Sequence, residues 1–271
     1  MDRQIGPRIH PWAALGIAGL ACLAGLSGCR AVLGIHDDGR DVASADAGEE
    51  AEVDAGRTAV NPFCAAQSLP LPPPRCADFE QGDLFAGWDN QGQTPNPGLV
   101  GGGTFEELLA TDGRKLAART PPIVAADQHA SAVLLYTMPS LAKNIGLRAR
   151  LTVMTEEIPG PTTIVLMSIA FGDEGAVVVY RDREGTAIAV VPDGKAARFP
   201  TWPVGVARTV VLAVATGAKP SAQASLDGDA GPELVLPAHF SNARTRRVML
   251  GPSVDGPMGE VKVSLDDVMV Y

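Results

Sequence analysis

A strict alternation over residues 145–154 is the feature that most limits how this chain can fold. Five apolar side chains, Ile145, Leu147, Ala149, Leu151 and Val153, are separated by Gly146, Arg148, Arg150, Thr152 and Met154. A period of two is expected of a β-strand with one face in a core and the other in water. The sequence therefore predicts a half-buried strand here, and with it a sheet to pair with.

Short strand-like segments continue along the rest of the chain, and clusters of Gly, Asp and Pro separate them. Residues 106–110 fit either one helical turn or another strand. Because the segments are short and no long amphipathic helix is apparent, the pattern predicts an all-β antiparallel sandwich or barrel. The other predicted strands are 132–137, 163–171, 176–181, 186–191, 209–216, 222–226, 247–250 and 260–271.

The N-terminus carries Arg3 and Arg8, then an apolar run over 12–26, and ends in Leu26-Ser27-Gly28-Cys29. About 15 apolar residues are too few to cross a bilayer core, which needs ~20. The basic start, the short apolar run and the small residues indicate a secretory signal over residues 1–28. A plain signal with an incidental Cys29 remains the alternative.

The segment ending in Cys29 resembles a bacterial lipobox. The resemblance implies cleavage before Cys29 and a lipidated Cys29 as the new N-terminus. Two or three acyl chains on one residue suffice for stable attachment to a lipid bilayer, since each buried CH₂ contributes ~0.8 kcal/mol. Arg30 stands where an Asp would favour the inner membrane. We therefore expect a membrane-anchored lipoprotein of the bacterial cell envelope, at the outer membrane.

Residues 29–60 are predicted to be a lipidated N-terminus followed by an acidic linker. Eight acidic and two basic residues lie in 36–60, with no Phe, Tyr or Trp. Such composition favours a disordered, extended tether. Residues 61–75 are predicted to form a proline-rich lead-in, and residues 76–271 one domain.

The formal net charge of −9 argues against nucleic acid as a partner, because phosphate binding needs clustered cations.

The cysteines agree with export. Cys22 lies in the signal and Cys29 takes the lipid, which leaves Cys64 and Cys76. A pair of cysteines in an oxidising compartment is expected to form a disulfide. The bridge would close a short proline-rich loop and contribute on the order of 3 kcal/mol through loop-closure entropy.

Three motifs resemble concanavalin A-like lectin/glucanase domains, a group that includes laminin-G-like jelly rolls. They are 76–80 with Gly87-Trp88, then Leu226-Asp227-Gly228, and the closing segment 263–270. The resemblance spans most of residues 76–271. It implies a jelly-roll β-sandwich whose opening segment pairs beside the closing strand, and it transfers no function by itself.

The sequence contains none of three common catalytic signatures. Retaining glycosidases need two carboxylates ~5 Å apart, yet no Glu-x-Asp-x-x-Glu run exists, and the adjacent Glu156 and Glu157 would point to opposite faces of a strand. No Gly-x-Ser-x-Gly elbow is present. His36, His129 and His239 lack zinc-ligand spacing. We therefore expect no enzyme and no cofactor, with glycoside hydrolysis as a remote alternative.

Binding is the remaining class of function. The first hypothesis is a carbohydrate- or polymer-binding module, in which Trp202 stacks on a sugar ring. The alternative is a structural lipoprotein that contacts another envelope protein and has no sugar ligand. A structural calcium ion on Asp78, Asp266 and Asp267 is considered because calcium prefers oxygen ligands, but it is not favoured.

Overall fold

The computed structural model describes residues 63, 75–77, 79, 83–138, 143–159, 162–200 and 202–271. Among these residues the chain forms two antiparallel β-sheets joined by tight turns, with short 3₁₀ segments at Gly172–Glu174 and Ala238–Asn242. No helix in the described ranges is long and apolar enough to cross a membrane. The predicted signal, lipid-bearing Cys29, acidic linker and Cys64 all lie outside the described residues.

The first sheet contains nine strands, and its central strand is the alternating segment predicted from the sequence. Its main path runs in the order β14-β13-β12-β7-β17-β4-β3, with β1 beside β17 and β15 beside β13. The strands are β1 (Arg75–Ala77), β3 (Thr104–Ala110), β4 (Gly113–Thr120), β7 (Asn144–Thr155), β12 (Ala207–Ala215), β13 (Ser221–Leu226), β14 (Asp229–Ala230), β15 (Leu234–Val235) and β17 (Val261–Val270).

The second sheet contains eight strands in the order β11-β10-β9-β8-β16-β5-β2, with β6 beside β16. Residues 106–110, which fitted either a turn or a strand, belong to β3 of the first sheet. The strands of the second sheet are β2 (Leu99–Val100), β5 (His129–Ala132), β6 (Leu134–Thr137), β8 (Ile164–Ala170), β9 (Ala176–Asp182), β10 (Gly185–Val191), β11 (Lys195–Arg198) and β16 (Arg247–Asp255).

The core lies between the two sheets and follows from the alternation. On β7 the five apolar side chains predicted to face inward are all buried, and the strand extends one residue beyond the prediction at each end. They meet Leu166, Ile169, Val177 and Val179 of the second sheet in one continuous apolar cluster. Burial of this kind stabilises a fold by roughly 25 cal/mol per Å² of apolar surface.

The predicted jelly-roll β-sandwich is confirmed. β1 pairs with β17, with Cys76 opposite Met269, so the opening segment lies beside the closing strand. Asp227 and Gly228 both have positive φ and form the turn between β13 and β14. A two-residue turn in which both residues have positive φ has a backbone twist that matches the right-handed twist of the two strands it joins. Phe79 and Trp88 are both buried in the core.

Candidate functional site

A shallow pocket opens on the outer face of the first sheet, at the end where β7 begins and β12 ends. Its volume is about 250 Å³. We call it the Tyr271 pocket, because the Tyr271 side chain lines it together with side chains from β7, β12 and β13 and from the segment before β15. The lining residues used below are Asn144, Gly146, Ser221, Gln223, Glu233 and Tyr271.

Tyr271 is held over the backbone of Gly146. The Gly146 amide donates to the Tyr271 carbonyl oxygen at 2.7 Å, and the Tyr271 amide donates back to the Gly146 carbonyl at 3.0 Å. A Cβ at position 146 would lie 2.2 Å from the Tyr271 ring carbon Cζ. Glycine is therefore required here by close approach, since any side chain would displace the ring.

The pocket also carries polar groups suited to a ligand rich in hydroxyls. Gln223 is exposed, and its amide nitrogen donates to the Gly231 carbonyl at 2.8 Å, which leaves its side-chain oxygen available as an acceptor. Asn144 and Glu233 are exposed, and Ser221 is half-buried. Amide, carboxylate and hydroxyl groups beside an aromatic ring are the elements that orient a bound polar ligand.

Arg148 influences Tyr271 from the neighbouring outward position of β7. Burial raises the pKa of the Tyr271 hydroxyl, and the positive charge of Arg148 opposes that shift only in part. The Tyr271 hydroxyl is thus protonated at neutral pH and can donate. The Arg148 guanidinium also lies 5.2 Å from the ring centre of Phe63, within the range of a cation–π contact.

A charged network occupies the same outer face closer to its middle. The Lys115 ammonium lies 2.7 Å from an Asp112 carboxylate oxygen and 3.8 Å from an Asp266 oxygen. An Arg150 nitrogen lies 3.9 Å from Asp266. Burial, and then the negative charge of Asp267, raise the pKa of Asp266 to about 6. Two cations therefore face a carboxyl that gives up its proton with difficulty.

Trp202 does not occupy the exposed position that the sequence analysis gave it. Its side chain is 2% exposed, and its indole nitrogen donates to the Val206 carbonyl at 2.8 Å. Arg181 lies 5.6 Å from the ring centre, and its guanidinium is bound by Glu156. The prediction of Trp202 as a sugar platform is corrected, because a ring packed in the core has no free face for a ligand.

Of the acidic residues considered for calcium, the structure describes Asp266 and Asp267. Asp78 lies outside the described residues. Asp266 faces Lys115 and Arg150, and it accepts the Asp267 amide at 3.0 Å. No group of three or more His, Cys, Asp or Glu within the described ranges could hold a metal ion. The Cys64–Cys76 bridge stays a prediction, because Cys64 lies beyond those ranges.

Sequence reasoning missed Tyr271 and Gly146. Both positions were inside predicted strands, and Gly146 was placed correctly on the outward face of β7. A glycine at an outward position of an otherwise regular strand is a signal of close approach by another group. The glycine signal does not show which group approaches Gly146. Tyr271 comes close to Gly146 only because the order of the strands in the sheet places the end of the chain beside β7.

Comparisons with known proteins agree with the fold at low sequence identity. No protein-family model matches the sequence, and none of the curated proteins matches it. An endo-β-1,4-glucuronan lyase from the fungus Trichoderma reesei superposes with a TM-score of 0.50 and 14% identity over 73% of this chain and 94% of that one. A cellulose-induced protein, Cip1, gives 0.50 and 13% over 73% and 96%. An alginate lyase of polysaccharide lyase family 7 gives 0.45 and 11% over 61% and 81%.

The domain thus has the same jelly-roll fold as these two solved structures, and at 13–14% identity the likeness concerns the fold. The prediction that it is not an enzyme is wrong as it was argued. It rested on the absence of hydrolase signatures, whereas a solved structure with this fold is a polysaccharide lyase. A lyase cleaves by elimination and needs no pair of hydrolytic carboxylates, so their absence gives no ground to exclude catalysis.

Proposed function

We propose that this chain is a polysaccharide-recognition protein of the bacterial cell envelope and that its Tyr271 pocket holds one sugar ring. The observation that carries the proposal is the Tyr271 ring seated against Gly146 beside exposed amide and carboxyl groups. The pocket is smaller than the roughly 300–1,000 Å³ typical of drug-sized ligands. That size suits a single unit of a longer chain that continues across the sheet.

The chemistry of the lining supports this assignment. An aromatic ring that packs on a backbone from one side can offer its other face to the C–H groups of a pyranose. Gln223, Asn144 and Glu233 supply acceptors and donors for sugar hydroxyls. The protonated Tyr271 hydroxyl adds a donor. Asn144 and Gln223 stand on β7 and β13, Glu233 directly precedes β15, and Tyr271 directly follows β17, so the sheet fixes the backbone positions from which these groups reach a ligand.

Elimination is the second candidate, and the neighbourhood of Tyr271 favours it over hydrolysis. Cleavage of a uronic-acid chain by elimination transfers the proton beside the carboxylate to a base, and the Glu233 carboxylate of the pocket is a group of that type. A C=C bond forms as the adjacent glycosidic C–O bond breaks, and the leaving oxygen takes up a proton from an acid. A cation or amide must neutralise the carboxylate, and a protonated group must serve the leaving oxygen. Arg148, Gln223 and Tyr271 are groups of these types.

A glycan array on the full chain tests the proposal. We expect binding to at least one polysaccharide, and an affinity loss of about tenfold when Gln223 and Glu233 are both changed to Ala. Asp229→Ala, an exposed carboxylate in the nearby β14, is the control and should leave binding unchanged. The same samples are followed by ultraviolet absorbance, since elimination creates an unsaturated uronosyl end. An array without hits, together with a specific envelope protein recovered by cross-linking, would contradict the proposal.

We further propose that lipidated Cys29 holds the domain at the outer membrane, with the acidic linker 36–60 as a spacer. The lipobox-like sequence and the aromatic-free acidic composition support this. Cys29→Ser is expected to release the protein from the membrane fraction, while Cys22→Ser serves as the control within the signal. Membrane retention of the Cys29→Ser protein without incorporated lipid would contradict it.

A further inference from the structure

A half-buried aromatic ring from outside the two sheets lies next to the Tyr271 pocket. The ring belongs to Phe63, in the proline-rich lead-in that precedes the domain. Its centre lies 5.2 Å from the guanidinium of Arg148. Arg148 is the next outward residue of β7 after Gly146, which lines the pocket. Phe63 therefore stands at the border of the pocket, beside a positive charge of the outer face.

Met269 shows that this part of the outer face is covered. It lies on β17 between two valines that belong to the core, so its own side chain points to the outer face. It is nevertheless 3% exposed, and it belongs to neither apolar cluster of buried residues. Its register partners are Arg148 on β7 and Cys76 on β1. A methionine on that face is buried only where other groups lie over it, and the ring beside Arg148 is placed at this row.

The two outward arginines of β7 are held in different ways. The Arg150 guanidinium lies 3.7 Å from Asp112 and 3.9 Å from Asp266. Arg148 instead meets the ring of Phe63, which attracts a cation through its quadrupole and carries no net charge of its own. The positive charge of Arg148 therefore stays effective toward its surroundings. Burial raises the pKa of the nearby Tyr271 hydroxyl, and the charge of Arg148 acts to lower it.

We propose that Phe63 is a positioning residue of the Tyr271 site. Its ring holds the Arg148 guanidinium at the border of the pocket, where the positive charge meets a polar or anionic substituent of the sugar. The role in sugar binding rests on the proposed function, whereas the hold on Arg148 does not. The predicted Cys64–Cys76 bridge would support this arrangement, since Cys64 follows Phe63 in the sequence and Cys76 lies in the same row of the sheet as Arg148.

The first test reads the position of Arg148 without any ligand. Ultraviolet absorbance at high pH follows the ionisation of tyrosines in the full-length protein, and subtraction of the Tyr271→Phe protein isolates Tyr271 from Tyr136 and Tyr180. Arg148→Gln should raise the pKa of Tyr271, because a nearby positive charge favours the phenolate. Phe63→Leu should also raise it, since leucine is apolar but has no aromatic face to hold the guanidinium. Phe63→Trp should keep the parent value, because tryptophan binds cations best.

The direction of the change separates positioning from a loss of cover. If Phe63 did no more than bury Tyr271, Phe63→Leu would lower the pKa of Tyr271, because burial is what raises it. In the Arg148→Gln background, Phe63→Leu should cause no further rise, because the group that it positions is gone. Phe105→Leu is the matched control: it removes another half-buried ring, which packs on Phe85, and should leave the pKa of Tyr271 unchanged.

The second test measures affinity for the polysaccharide that the array identifies. Phe63→Leu should weaken binding by about two- to fivefold, the range that corresponds to a cation–π contact at an exposed site. Phe63→Trp should keep the affinity, and Phe63→Leu should cause no further loss in the Arg148→Gln background.

The proposal is overturned if Phe63→Leu lowers the pKa of Tyr271 or leaves it unchanged, or if the Phe63→Leu protein binds the polysaccharide as the parent does. A parent protein that binds no polysaccharide would instead contradict the proposed function. The tyrosine titration needs no ligand, so it would still decide whether Phe63 holds Arg148.

Discussion

Replacement of Asp266 by Asn is expected to stabilise the domain at neutral pH and to remove part of its pH dependence. Asp266 lies on β17, is largely buried, and has a pKa of about 6. Burial is the main cause, followed by the negative charge of Asp267. Asparagine has nearly the same shape and no charge, so it escapes the cost of ionisation inside the network.

The magnitude follows from linkage. The unfolded carboxyl has its ordinary pKa of 3.8, and a difference of about two units at 1.36 kcal/mol each corresponds to about 3 kcal/mol. Because the folded pKa is the higher one, the folded state holds the proton more tightly. The stability that the protonated Asp266 carboxyl contributes is thus fully present below about pH 4 and is lost as the pH rises through about 6. The gain for Asn is largest at neutral pH, and the opposing attraction of Lys115 and Arg150 is already contained in the pKa of about 6.

The assay is urea unfolding of the parent and Asp266→Asn proteins at neutral pH and near pH 4. We expect a variant that is more stable at neutral pH and an advantage that shrinks by about 2 kcal/mol near pH 4. Asp112→Asn is the matched control, since Lys115 lowers the pKa of Asp112 and its loss should act in the opposite direction. A destabilised Asp266→Asn protein whose deficit does not change with pH would refute the reasoning.

Three further changes test other parts of the account. Glu156→Gln should cost about 3 kcal/mol or more in urea unfolding, because it leaves the buried Arg181 without its carboxylate; an unchanged midpoint would contradict this. Gly146→Ala should weaken glycan affinity by about tenfold while far-ultraviolet circular dichroism stays native, because its Cβ displaces the Tyr271 ring. Cys76→Ser should lower stability by on the order of 3 kcal/mol, and reduction of the parent should give the same loss if Cys64 is the partner.

The strands were largely predictable because their signal is local. On β7 each inward residue is followed by an outward one, and the structure keeps that order from Ile145 to Val153. The turn at Asp227-Gly228 was also readable, since Gly and Asp tolerate positive φ. Sheet order was not readable from these signals. The sequence cannot show that β7 lies between β12 and β17, because that depends on how two sheets fill one core.

The candidate site was poorly predicted for the same reason. Trp202 was predicted to offer its ring to a sugar, but its neighbours in space, Arg181 and Val206, bury it. Tyr271 and Gly146 are 125 residues apart in the sequence, and only the pairing at the end of β17 brings them together. Phe63 likewise resembles any phenylalanine in the sequence, and its contact with Arg148 becomes visible only in the folded chain.

The most direct test of the proposed function compares the Tyr271→Phe and Tyr271→Ala proteins against the polysaccharide that the array identifies. If the ring stacks on a sugar, Phe keeps most of the affinity, whereas Ala loses about tenfold or more, since aromatic contacts of this type contribute about 0.5–1.5 kcal/mol beyond the buried area. Tyr180→Ala on the second sheet should bind as the parent does. Equal affinity of the Tyr271→Ala protein and the parent would contradict the account.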